Sequence, residues 1–260
     1  DGGYIMTGYE ELTYPDYNGV LVKTNNQGVV EWSKKFTEYE TDWILDVQTT
    51  TDSGYVVAGF TASFANGWYD ALIIKLDING DTLWTRTFGD FDFVGDESAV
   101  SIKQTFDGGY IITGQTSSYG NSSDDDIYLL KINGQGDFEW SKAYGATNKF
   151  DRPNWVEQTS DSAYVVAGET MDLATGKRMM YIIRTDINGD TLWTSAINES
   201  EHARASCIQQ TNDSGFIVCG TTGDLNTGPV PDILMVKLDS IGNLIWSKSY
   251  GTAGIDEGTC

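Results

Sequence analysis

Apolar residues along this chain come in short runs separated by turn residues. Ala205–Thr211 is one run, and Phe216–Gly220 follows after the turn chemistry of Asn212–Gly215. Asp232–Leu238 and Leu244–Lys248 complete the group, with the tight connection Asp239-Ser240-Ile241-Gly242-Asn243 between them. β-branched and aromatic residues dominate these runs, which predicts four strands, A to D. In two other places the C–D connection reads Asp77-Ile78-Asn79-Gly80-Asp81 and Asp186-Ile187-Asn188-Gly189-Asp190. Asn-Gly between apolar runs is a hairpin signal, because both residues tolerate positive φ. No stretch of ten or more residues carries a 3.6-residue period, so almost no helix is predicted.

The four-strand unit is written five times. Asp1-Gly2-Gly3-Tyr4, Asp52-Ser53-Gly54-Tyr55, Asp107-Gly108-Gly109-Tyr110, Asp161-Ser162-Ala163-Tyr164 and Asp213-Ser214-Gly215-Phe216 recur every 51 to 55 residues. Trp32, Trp84, Trp140, Trp193 and Trp246 keep step with them. The units run over approximately 1–51, 52–106, 107–160, 161–212 and 213–260. Four strands per period of about 50 residues match one blade of a β-propeller. The expected fold is therefore all-β, a single propeller domain over 1–260 with five four-stranded antiparallel blades. A longer parent array of six to eight blades is the alternative. The chain begins in strand B and reaches strand A again at Gly258–Cys260. Ring closure is expected to place this C-terminal strand beside the N-terminal blade, with Cys260 near Thr7, since open edges are a liability. The five tryptophans are read as packing between neighbouring sheets. The recurring cation at Lys23, Lys75, Lys131, Arg184 and Lys237 is expected to pair with a nearby acid.

The chain has 260 residues and a formal charge of -22, from 38 acidic and 16 basic side chains. Such a field repels phosphate backbones and anionic bilayers, so nucleic acid and membrane insertion are not expected. No apolar run approaches the roughly 20 residues that span a bilayer. Starting and ending in mid-repeat, the sequence reads as a segment or a processed product. Cys207, Cys219 and Cys260 form neither a dense disulfide framework nor a zinc-ligand spacing. Cys207 and Cys219 should face each other across the A–B hairpin, where a disulfide and a pair of packed thiols both fit. His202 is the one histidine and reads as a surface residue.

The strings Asp107–Gly114, Leu129–Lys131 and Gly136–Gly145 resemble the tandem propeller repeats of secreted and surface-displayed bacterial proteins. Many of those proteins end in a type IX secretion sorting segment. The resemblance covers the whole chain and implies an extracellular or cell-surface setting, without implying an activity. No sorting segment is visible here. The layout also loosely resembles quinoprotein propellers, with Asp77, Gly80 and Trp84 at the matching places, although the Ala before that Asp and the Thr-Gly pair are missing.

In such a blade the A–B and C–D turns leave one end of the strands, and the B–C and D–A connections leave the other. The first set is short and uniform, the second long and varied. Function on a rigid frame usually sits on such varied connections. They carry Tyr14, Tyr17, Phe64, Trp68, Tyr69, Phe91, Phe93, Tyr119 and Phe150, the candidate ligand-binding residues. Aromatic faces among Asp, Asn and Ser suit glycans and protein surfaces alike. Asp90, Asp92, Asp96, Asp124 and Asp125 are the candidates for calcium, which wants six to eight oxygens. They do not match the twelve-residue calcium loop, and no cofactor is expected. The expected function is a non-catalytic binding or display module. The alternatives are a glycoside-active or quinone-dependent propeller enzyme, and a purely structural spacer. No Gly-x-Ser-x-Gly elbow is present, and one histidine builds no metal triad.

Overall fold

A computed structural model describes residues 1–260 apart from 1, 14–15, 37–41, 63–68, 90–94, 119–124, 199–201, 224–229 and 260. The described residues form strands and turns and contain no helix. There are five antiparallel sheets of propeller-blade type. The first contains β1 (Tyr4–Thr13), β2 (Asp16–Thr24) and β3 (Val30–Phe36). The second contains β4 (Asp42–Thr49), β5 (Tyr55–Thr61), β6 (Asp70–Leu76) and β7 (Thr82–Phe88). The third contains β8 (Ser101–Gln104), β9 (Tyr110–Thr116), β10 (Asp126–Ile132) and β11 (Phe138–Tyr144). The fourth contains β12 (Lys149–Gln158), β13 (Tyr164–Asp172), β14 (Arg178–Thr185) and β15 (Thr191–Ile197). The fifth contains β16 (Ala203–Gln210), β17 (Phe216–Thr222), β18 (Asp232–Leu238) and β19 (Leu244–Tyr250).

The chain divides into two compact units, Asp1–Ser118 with Leu130–Glu139, and Tyr119–Leu129 with Trp140–Cys260. In the first unit, Leu21 of the first sheet packs with Tyr55, Val57, Leu72, Ile74 and Leu76 of the second. Trp32 covers the edge of this core, and its ring meets Tyr55 edge-on at 5.7 Å. Trp84 meets Tyr110 in the same way at 6.0 Å. In the second unit, Val165, Ala167 and Ile182 pack with Phe216, Val218, Leu234 and Val236. There Trp140 meets Tyr164 at 5.9 Å and Trp193 meets Phe216 at 5.7 Å. Each of these tryptophans therefore lies between its own sheet and the next, as the repeat predicts. The face of the indole needs a bare backbone opposite it. A Cβ on Gly189 would stand 2.8 Å from Trp140, and one on Gly242 2.5 Å from Trp193. Both glycines also hold φ near +80°, which disfavours any other residue.

The recurring cation behaves as expected. Lys75 is buried, donates to the Leu76 carbonyl at 3.0 Å and pairs with Asp52 at 2.9 Å. Lys131 repeats this with the Ile132 carbonyl and Asp107. Arg184 and Lys237 pair with Asp161 and Asp213. In the first sheet Lys23 pairs with Glu31. One strand-C cation thus ties the A–B turn to the C–D hairpin. Asp77 instead caps its own hairpin, accepting the N–H groups of Asn79 and Asp81 at 2.8 Å. Asp186, Asp239 and Asn133 do the same in other sheets. The Asp77, Gly80 and Trp84 pattern that resembled a quinoprotein serves the turn and the tryptophan packing.

Three details bear on the expectations. The first sheet has three strands among the described residues, and residues 251–259 form no strand that would add a fourth. Cys207 and Cys219 do lie opposite each other in the β16–β17 register, yet they are not bonded. Cys207 is disulfide-bonded while Cys219 is free, so the partner of Cys207 lies outside the described residues. The sulfur of Cys219 instead lies against Gly258. Finally, the strands run further than the turn residues suggested. In the first sheet the B–C connection is itself part of a hairpin in which Tyr9 pairs with Gly19 and Glu11 with Tyr17.

Two outcomes follow from this packing. Trp193→Ala empties a sheet–sheet junction and should cost about 3 kcal/mol. Trp246 is 37 % exposed, and Trp246→Ala should cost under about 1 kcal/mol. Urea unfolding in dilute solution measures both, and equal losses would refute the role given to the recurring tryptophan. The turn carboxylates set a pH dependence. Burial pushes Asp52 upward, but the Thr50 hydroxyl, the Lys75 ammonium and the Gly54 N–H outweigh it and hold its pKa at about 2. Asp107, Asp161 and Asp213 are likewise held below the usual carboxylate value. A depressed folded-state pKa contributes stability that is complete above the unfolded value near 3.8 and is lost as pH falls toward about 2. Melting followed across that window should show Asp52→Asn losing less stability than the unmodified chain.

Candidate functional site

The strand ends that bear the B–C and D–A connections are held by buried acids. Asp42, Asp70, Glu97, Asp126 and Asp151 are all buried there. The Thr61 hydroxyl donates to Asp42 at 2.5 Å and the Thr116 hydroxyl donates to Glu97 at 2.8 Å. The Glu97 N–H donates to the Tyr69 carbonyl at 3.0 Å, and the Asp151 N–H to the Asp125 carbonyl at 2.9 Å. Gly89 and Gly145 follow strand D, where a Cβ would stand 2.1 Å from Asp70 and 1.7 Å from Asp126. Only glycine lets the chain pass that close. Burial pushes the Asp151 carboxyl upward, against hydrogen bonds from Thr170 and the Ala146 N–H.

In the first unit a continuous line of rings lies over these strand ends. Tyr9 of β1 meets Trp43 of β4 with centroids 4.7 Å apart, and Tyr17 of β2 meets Trp43 at 4.9 Å. Tyr9 and Tyr17 are themselves edge-on at 5.8 Å. Trp43 is cross-strand partner of Phe60 on β5, and the two rings are stacked at 16° and 6.0 Å. Phe60 then meets Tyr69 edge-on at 5.2 Å. Tyr9 is exposed, and Tyr17, Trp43, Phe60 and Tyr69 are half-buried. Five rings therefore support one another through edge-on, tilted and stacked contacts while part of each remains open to solvent. Beside them Lys35 pairs with Glu10 at 2.6 Å, so the flank is polar but locally neutral.

Of the residues expected from sequence, Tyr17 and Tyr69 belong to this track. Tyr9, Trp43 and Phe60 were not among them. Trp43 and Phe60 sit inside strands where they read as ordinary core, and Tyr9 stands at the start of the B–C connection, which the structure folds as a hairpin. Phe150 lies apart, on β12 in the second unit and not in a loop, with the Arg152 guanidinium 4.2 Å from its ring centroid. Tyr14, Phe64, Trp68, Phe91, Phe93 and Tyr119 lie outside the described residues. So do the calcium candidates Asp90, Asp92 and Asp124. Asp96 exchanges backbone and side-chain hydrogen bonds with Ser117, and the Asp125 carbonyl receives Asp151. Among the described residues no group of three or more His, Cys, Asp or Glu side chains could hold a metal ion. His202 is half-buried, and its carbonyl accepts the Gly223 N–H at 2.8 Å.

No protein-family model matches this chain, and no curated protein matches it. Solved structures do. A protein of unknown function from Dyadobacter fermentans is 11 % identical with a TM-score of 0.65, over 98 % of this chain and 81 % of that one. A protein of unknown function from Bacteroides caccae is 11 % identical with a TM-score of 0.42, over 98 % and 96 %. A mannose phosphorylase from Leishmania mexicana is 11 % identical with a TM-score of 0.45, over 96 % and 85 %. At such identities the likeness is one of fold.

Proposed function

We propose that this chain is a non-catalytic binding module of a secreted or cell-surface protein, and that it holds a neutral glycan on the aromatic track of its first unit. The observation that carries this reading is the run Tyr9, Tyr17, Trp43, Phe60 and Tyr69, five rings in mutual contact at one set of strand ends. Sugar rings present C–H faces that stack on aromatic rings. A stacked pair such as Trp43 and Phe60 offers two adjacent platforms without long flexible side chains to order. The charge of -22 disfavours anionic ligands, including nucleic acid. The buried carboxylates beneath the track already serve threonine hydroxyls and close backbone passes, which favours binding over the glycoside-active alternative. The bonded state of Cys207 suits an oxidising compartment, as does the repeat's resemblance to exported proteins.

Binding to a glycan array, followed by calorimetry on the best ligand, tests the reading. Trp43→Ala should weaken binding at least tenfold, about 1.4 kcal/mol, while Trp246→Ala leaves it unchanged. Equal affinity in Trp43→Ala, or no glycan bound at all, would sink the proposal. Turnover of a polysaccharide that disappears in Glu97→Gln would establish the enzyme instead. The compartment has its own check. In the purified denatured chain, Cys219 should react with a thiol reagent at once and Cys207 only after reduction, as peptide mapping would show.

A further inference from the structure

A ring face attracts the C–H face of a sugar but does not read which way a hydroxyl points. In a binding site that task falls to a few placed polar groups. Most carboxylates of the first unit are already engaged. Asp52 and Asp107 pair with the buried Lys75 and Lys131. Asp46 accepts the Ile102 N–H at 2.9 Å, and Asp42 and Glu97 accept threonine hydroxyls. Two acids differ. Among the described residues, Glu11 and Asp96 form no ion pair, and both are exposed.

These two stand beside the two ends of the chain of ring contacts, which runs from Tyr17 through Trp43 and Phe60 to Tyr69. Glu11 is the cross-strand partner of Tyr17 in the β1–β2 ladder, and Tyr9, two residues earlier, shares its face. Asp96 immediately precedes Glu97, whose N–H donates to the Tyr69 carbonyl at 3.0 Å. The Tyr69 N–H in turn favours the charged form of the Asp96 carboxyl. The Asp96 N–H donates to the Ser117 hydroxyl at 2.8 Å, and its carbonyl accepts the Ser117 N–H at 3.1 Å. The backbone that carries Asp96 is thus fixed between Tyr69 and the end of β9, while its carboxylate keeps most of its acceptor capacity.

We infer that Glu11 and Asp96 are the specificity-determining residues of the glycan site, each accepting two adjacent hydroxyls of a neutral sugar, one at either end of the ring line. This deepens the glycan reading of that line and rests on it. An ionised carboxylate only accepts, and its two oxygens suit two neighbouring O–H donors. Hydrogen bonds to an ionised acceptor are roughly twice as strong as those between neutral groups. The rings supply contact area that most sugars can use, and the two acids supply the choice among them. The same acids repel acidic sugars, in keeping with the charge of -22.

Calorimetry of the full chain provides the test, with cellohexaose and mannohexaose, in which every ring keeps adjacent hydroxyls, and with laminarin, whose internal rings do not. At least one of the two hexaoses should bind, and laminarin at least tenfold more weakly. Asp96→Asn and Glu11→Gln keep the shape of each side chain and remove its charge, and each should weaken the hexaose at least tenfold. Both positions are exposed, and unchanged far-ultraviolet circular dichroism identifies a folded variant; Asp96→Ser replaces Asp96→Asn if the latter misfolds. Hexaose binding that survives in both variants but is lost in Trp43→Ala overturns the inference and leaves the ring line standing. Laminarin bound as tightly as the hexaoses overturns it too, as does a chitosan hexamer, bearing ammonium groups, bound more tightly than either. If neither hexaose binds, the inference also falls, and the glycan array then shows whether the ring line falls with it.

Discussion

The structure depends on the indole that each sheet hands to its neighbour. A four-stranded sheet has two faces, and a blade whose faces both bear Val, Ile and Leu must bury both. Trp32, Trp84, Trp140 and Trp193 close the wedge at each junction against the first aromatic of the next strand B. That contact dictates several features of the sequence at once. It requires an aromatic after every A–B turn and fixes the strand-D tryptophan three residues beyond the last residue of the C–D turn. It also excludes side chains from Gly80, Gly136, Gly189 and Gly242, which the indoles cover. The period of the sequence is the spacing of these junctions.

Electrostatics then divides the strand ends into two kinds. At the A–B and C–D turns, a buried or nearly buried cation from strand C satisfies a turn carboxylate and a backbone carbonyl together. A buried ammonium is costly unless it is paired and hydrogen-bonded, so neither partner can drift without the other, and these turns vary little. At the opposite ends, Asp42 and Glu97 are satisfied by threonine hydroxyls within their own sheets. The connections beyond differ in length and composition from one sheet to the next.

This division explains what could be read from the sequence. The sheets, the strand order, the hairpin turns, the tryptophan junctions and the cation–acid pairs follow from residues that recur, because recurrence exposes a shared physical need. The aromatic track follows from residues that do not recur. Tyr17 and Tyr69 stood out because they flank turn-rich segments. Trp43 was hidden because strand A carries a bulge between Ile44 and Asp46, which re-aims side chains and breaks simple alternation. The same bulge recurs between Pro153 and Trp155 and between Ala205 and Cys207. For Cys207 the register left a disulfide and a thiol pair both open, and the residue bonded to it lies outside the described residues. Register placed Cys219 opposite it correctly, but register does not say which neighbour a sulfur turns toward.

The bulge also locates the point at which one blade differs from another. Just before it, on the edge of the second, fourth and fifth sheets, stands a cross-strand pair that the fold leaves unspecified. In the second sheet the pair is Trp43 with Phe60, in the fourth Arg152 with Glu169, and in the fifth Arg204 with Thr221. In the second unit these positions go to ion pairs that fasten the connections, Glu169 with Arg178 at 3.2 Å and Arg204 with Glu257 at 2.8 Å. In the first unit the same lattice points carry rings, which fasten one another and still leave part of each ring open to solvent. An exposed ion pair such as Arg204 with Glu257 adds at most about 1 kcal/mol and consumes both partners. A ring cluster gains its stability from its own contacts and still leaves part of each ring open to solvent. Replacing charge by aromatic area at a position the scaffold does not need is how a repeated frame acquires one individual surface, and here that surface lies on the first unit.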